Sequence, residues 1–146
     1  MPISLRVSRR VDPAVGQLVA DLSRKLPQII GGDALRIYVS HLPHVDGVPG
    51  YITDLRRRSV PRIVLAGGAP PHVAALYGVS ARAALADVAF TLLHEVGHYT
   101  QYRDGASTRD ERDADRRAAR YLRRLHPALH RIYRVSGLST ARQSQI

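Results

Sequence analysis

Residues 80–102 read SARAALADVAFTLLHEVGHYTQY, and the rest of the chain can be placed around this stretch. Apolar residues recur at Leu85, Val88, Ala89, Leu92, Val96 and Tyr99, the spacing of one helical face. The pattern predicts a long helix from Ser80 to about Tyr102, broken at Gly105. Inside it lies His94-Glu95-Val96-Gly97-His98. Positions four apart on a helix lie about 40° apart around the axis and one turn along it, so two imidazoles at that spacing can converge on one ion. Both histidines fall roughly 180–220° from the middle of the apolar stripe. The helix is therefore expected to bury one side and offer His94 and His98 on the other. Glu95, between them, is placed to take a proton from a water on such an ion. H-E-x-x-H is the pattern of two zinc ligands and a general base.

Two histidines leave a catalytic zinc site one protein ligand short. A second helix is expected from Thr108 to about Leu125, with Pro127 perturbing its end. On it Glu111, Ala114, Asp115, Ala118, Leu122 and Leu125 fall within about 100° of arc, and the arginines fall outside. An unpaired carboxylate on an apolar face is expensive, so Glu111 and Asp115 need partners there. Glu111 is the expected third ligand. Asp115, one turn on, is expected to accept the N–H of a ligand histidine. The chain has only two glutamates, Glu95 and Glu111, and both stand where this chemistry needs them. Competing readings exist. Thr108-Arg109-Asp110-Glu111 fits a capping box, and Asp115 could pair with a neighbouring arginine instead. Asp104 and His126 are rival third ligands. The donor to a developing oxyanion stays open among Tyr99, Tyr102, His126, His130 and Tyr133.

HEVGH followed by ERDAD and the alanine-rich RRAARYL resembles the gluzincin class of metallopeptidases, in particular the minimal gluzincins and the ImmA/IrrE-like peptidases, in which H-E-x-x-H precedes E-x-x-A-[DN] on the next helix. The resemblance covers roughly residues 35–125, with its specific motifs at 94–98 and 111–115. It implies His94, His98 and Glu111 as zinc ligands, Glu95 as catalytic base, and hydrolysis of a protein or peptide substrate. Twelve residues separate His98 from Glu111, short for the class, so a tight αα-hairpin at Asp104–Ser107 is expected to join the two helices.

Around this core the reading is α+β, a minimal zincin-like domain over residues 1–135 with a polar, frayed tail over 136–146. A helix is expected over 12–26, capped by Asp12 and stopped by Pro27. Three short strands are expected at Leu35–Ser40, Gly50–Asp54 and Arg62–Ala66. Residues 67–78, with two glycines and Pro70–Pro71, read as a loop that leaves room for a helical turn. The N-terminal segment or the tail from Ser136 is in a position to occupy a cleft and hold the site latent.

With 146 residues and no cysteine, disulfides, thiolate metal sites and a Cys nucleophile are excluded. No signal-like or membrane-spanning run is present, so the expected compartment is the cytoplasm and no membrane partner is expected. The net charge is +10, almost all from arginine. Arg56-Arg57-Arg58 and the arginine face of the second helix resemble a nucleic-acid footprint, but a solvated face is the commoner explanation. His41, His44, His72 and His130 show no metal spacing. The expected function is a zinc-dependent metallopeptidase. The alternatives are a zinc-binding regulatory protein that recognises a partner with little catalysis, and a basic nucleic-acid-binding module. The sequence sets no oligomeric state.

Overall fold

In the computed structural model, which describes residues 2–56 and 59–143, the sheet has four strands rather than the three expected. They are β1 (Ile3–Val7), β2 (Leu35–Ser40), β3 (Gly50–Thr53) and β4 (Arg62–Ala66), in the order β1-β2-β4-β3. β1, β2 and β4 run parallel, and β3 lies antiparallel to β4 along an outer edge. The added strand carries a period-two pattern, with Ile3, Leu5 and Val7 half-buried and Ser4 and Arg6 exposed. Its edge position buries none of these residues fully, so the alternation is weak against the flanking arginines.

Helix α1 (Pro13–Lys25) starts as its sequence predicts. Asp12 accepts the Ala14 N–H at 2.8 Å, and Pro13 takes the first position, where no intrahelical N–H is required. Val15, Leu18, Val19 and Leu22 are buried. Pro27 ends α1 but opens one further turn, α2 (Pro27–Ile30). The segment expected as a loop after β4 holds a helix, α3 (Ala69–Tyr77). Pro70 and Pro71 sit in its first turn, where a missing N–H costs nothing, and Gly78 closes it at φ +64°.

Helix α4 (Ala81–Arg103) is the predicted long helix, with the Ser80 hydroxyl accepting the Ala83 N–H at 3.1 Å. It contacts β3, β4, α1 and α3 as well as α5 (Glu111–Leu125) and α6 (Pro127–Ser136). It is therefore buried nearly all round. The side expected to present the histidines openly is covered by α5 instead, and His98 is only 2% exposed. α5 begins at Glu111 rather than Thr108, because Asp110 and not Thr108 supplies the cap. Part of the expected polar tail also differs. Residues 138–143 form α7 (Leu138–Gln143), and Leu138 is buried in the same core. The α+β class is as expected, and among the described residues no single helix is long and apolar enough to cross a membrane.

Candidate metal centre

The hairpin between α4 and α5 is built from local rules. Gly105 takes φ +96°, which lets the Ala106 N–H reach back to the Gln101 carbonyl at 3.0 Å while the Asp104 N–H bonds Thr100 O at 2.9 Å. At the other end Asp110 accepts the Asp113 N–H at 3.0 Å. The cap function thus falls to Asp110, and the Glu111 carboxylate is not used for it. Arg117 binds the two helices across the turn. Its guanidinium donates to Asp104 at 2.9 Å, to Asp113 at 2.8 Å and to the Thr100 hydroxyl at 3.0 Å.

Gly97 sets the distance between the helices. A Cβ there would lie 3.1 Å from the Ala114 carbonyl oxygen and 3.3 Å from the Ala114 Cα, so a side chain would push α5 back by a few tenths of an ångström. Glu111 stands one turn before Ala114, and the close approach delivers its carboxylate to the histidines. Glu111 Oε2 lies 2.8 Å from His94 Nε2 and 3.3 Å from His98 Nε2, and Oε1 lies 3.2 Å from His98 Nε2. The two rings meet edge to face, with centroids 4.7 Å apart.

The outer nitrogens of both rings are also held. His94 Nδ1 lies 2.7 Å from Asp115 Oδ1, which was expected to meet one of the two histidines. His98 Nδ1 lies 3.0 Å from Gln101 Oε1. Gln101 cannot turn its amide around, because its NH2 donates to Asp110 O at 2.8 Å and to Asp113 at 2.9 Å. With Nδ1–H donating, each ring in its neutral form turns an Nε2 lone pair towards the Glu111 carboxylate. Three acceptors pointed at one spot is a cation-binding arrangement. Two histidines and a carboxylate with their ligand atoms all within 4.8 Å of one another are a set that could hold a metal ion.

Glu95 lies next to this set and is 6% exposed, with Oε2 lacking any hydrogen-bond partner among the described residues. Burial pushes its carboxyl up to about 7, and the Glu111 charge adds to this while His94 and Arg109 oppose it. His94 moves upward as well. Burial alone would pull it down, but the Asp115 hydrogen bond and the charges of Glu95, Asp115 and Glu111 outweigh that.

The rival ligands lie elsewhere: Asp104 is engaged by Arg117, and His126 lines a separate cleft beside α1. Of the candidate oxyanion donors, Tyr99 donates to Asp33 at 2.8 Å, outside the cluster. Tyr102 shares a cleft of about 320 Å³ with His98 and Arg109, and His130 and Tyr133 share one of about 920 Å³ with Glu111 and Asp115. The N-terminal segment lies in the sheet, whereas Gly137, Ser139 and Thr140 line the larger cleft. Arg56 donates to the Ser107 carbonyl, and Arg57 and Arg58 lie outside the described residues.

Three residues of the site escaped the sequence reading. Gln101 stands three positions after His98 on the same helix, a spacing that marks side-chain pairs. Gly97, a costly residue inside a helix, was legible as a packing position. Arg109 donates to the Ile52 carbonyl of β3 at 2.9 Å and has no motif to announce it. No family model, curated protein or solved structure matches this chain.

Proposed function

We propose that this protein is a zinc-dependent peptidase that hydrolyses peptide bonds with Glu95 as general base. The observation that carries the reading is the convergence of His94 Nε2, His98 Nε2 and the Glu111 carboxylate beside a buried carboxyl that has an unsatisfied oxygen. Zinc held by those three groups would supply Lewis acidity, making water more acidic and polarising a carbonyl oxygen. Everything else falls to the chain. Asp115 and Gln101 keep both rings in the tautomer that turns Nε2 inward. Glu95, raised towards neutral pH, accepts a proton from water as the new C–O bond forms. It then returns that proton to the nitrogen as the C–N bond breaks, so its own charge is restored each turn.

Metal content per chain by mass spectrometry, on protein purified without chelator or histidine tag, is the first test. Close to one zinc per chain is expected. A chain that contains none, and takes none up when folded, would overturn the reading. If zinc is present and a broad peptide library stays intact, the remaining possibility is a zinc-stabilised regulatory protein that binds a partner.

A further inference from the structure

The larger cleft is not accounted for by the zinc chemistry. It starts at Glu111 and Asp115 and runs between α5 and α6 to the start of α7. Its floor includes Phe90 and Tyr133, whose rings stack 4.4 Å apart at 13°. Its rim is cationic, with the exposed side chains of Arg112, Arg116 and Arg134. The two acidic groups of the cleft are engaged by the histidines. Arg116 reaches Asp113 only at 3.9 Å, and among the described residues neither Arg112 nor Arg134 has an ion-pair partner. His130, also in the lining, is held below the ordinary histidine range by burial and by Arg134, Arg123 and Arg131. It therefore adds no positive charge near neutral pH.

We propose that this cleft binds a peptide segment that places an apolar side chain on the Phe90–Tyr133 floor and acidic side chains against Arg112, Arg116 and Arg134. The proposal rests on reading His94, His98 and Glu111 as the reacting end of the same cleft, and so names an acidic peptide as the substrate class. A volume of about 920 Å³ falls within the range of ligand-binding clefts, about 300–1,000 Å³. Single-stranded nucleic acid fits less well. Binding of that kind uses open aromatic faces on which bases stack. Phe90 and Tyr133 are only 8% and 5% exposed and cover each other's faces.

The test uses fluorescence anisotropy with the Glu95→Gln chain, so that binding is read without turnover. The probes are two labelled hexapeptide amides, Ala-Ala-Phe-Glu-Glu-Ala and Ala-Ala-Phe-Lys-Lys-Ala, and a labelled decathymidylate. The acidic peptide is expected to bind about tenfold more tightly than the basic one, as two partly screened ion pairs would give. Arg112→Glu with Arg134→Glu should reverse the order, and Arg9→Glu, in the turn after β1, should leave it. Circular dichroism checks that each variant is folded. Equal affinities, no measurable peptide binding, or a preference that survives the double reversal would overturn the proposal. So would decathymidylate binding more tightly than the acidic peptide and vanishing in the double variant. The two readings fail separately. Acidic preference with no cleavage by the unmodified chain removes the peptidase and keeps the subsite, whereas cleavage of peptides regardless of charge does the reverse.

Discussion

The aliphatic core that α4 shares with the sheet and α1 differs in kind from the seam it shares with α5. In the core, Leu22, Ile63, Leu65, Leu92 and Leu93 are fully buried in one cluster with no polar atom among their side chains. In the seam, His94, His98, Thr100 and Gln101 meet Glu111, Asp113, Asp115 and Arg117 through hydrogen bonds, and Gly97 meets Ala114 through a backbone approach that a methyl group would crowd. Burial of area is non-directional, so a core position asks only for an apolar group of the right volume. A seam position asks for a particular atom in a particular place. The stability of the molecule is therefore expected to lie mainly in the first region and its chemistry in the second.

The separation is tested most strongly by Glu95→Gln. Peptide cleavage is expected to fall about 10²–10⁴-fold, the range of general acid–base catalysis, with zinc content unchanged. Activity that survives would remove Glu95 from the mechanism. Next is Leu65→Ala, which should cost about 2–5 kcal/mol in urea unfolding while the folded fraction keeps its zinc. Loss of metal from folded Leu65→Ala would show that the two regions are not independent.

A pH series sharpens the contrast from the seam side. Glu95 rises from an ordinary 4.5 to about 7 in the folded chain, so the unfolded chain releases this proton first. Metal-free protein should therefore lose stability as pH climbs from about 4.5 to about 7 and then level off, by about 3 kcal/mol for this group. The quantity to measure is the difference in unfolding free energy between the original chain and Glu95→Gln at pH 5 and pH 8. A difference that does not change with pH would refute the raised value.

Asp115→Ala and Gln101→Ala should each weaken zinc affinity about 10–100-fold without a large change in fold, read by competition with a chelator. Wild-type affinity in both would mean that the outer nitrogens do not orient the rings. The smallest effect is expected for Gly97→Ala. A gain of about 1 kcal/mol in helix propensity opposes about 1–3 kcal/mol of crowding against Ala114, leaving a net loss of about 1 kcal/mol. Its zinc affinity should fall by more than its stability does, and the reverse order would contradict the spacing role.

The same contrast explains what could be read from the sequence. Helices α1 and α4 carry long apolar periodicities with caps, and His94, Glu95 and His98 ride on the clearer of the two. Glu111 and Asp115 were legible because they share an arc of the helix with Ala114, Ala118 and Leu122, although the Glu111 side chain is 68% exposed and burial does not force a partner on it. β1 was missed because a half-buried edge strand repeats its pattern only three times, and α3 because Pro70 and Pro71 look like loop residues unless a helix is already known to begin there. The burial of His98 was missed because periodicity describes one helix at a time, and the face opposite the apolar stripe is covered by small residues of a second helix. Gln101 belongs to the same class, since its partners Asp110 and Asp113 appear only once the hairpin closes.

The proposed ligands His94, His98 and Glu111, with Gln101 and Asp115 beside their rings, lie between residues 94 and 115, in two consecutive helices joined by a seven-residue turn. The parallel strands β1, β2 and β4, by contrast, pair across long stretches of chain. Short loops close at little entropic cost and quickly, while long-range parallel pairing is slow. The hairpin is therefore expected to assemble ahead of the sheet, and zinc present during refolding should quicken the approach to the native state, whereas zinc added afterwards should only slow its loss. Stopped-flow refolding with and without the ion would separate the two, and identical folding rates would place assembly of the site late. On this view the metal acts on the order of events along the folding route as well as on its end point.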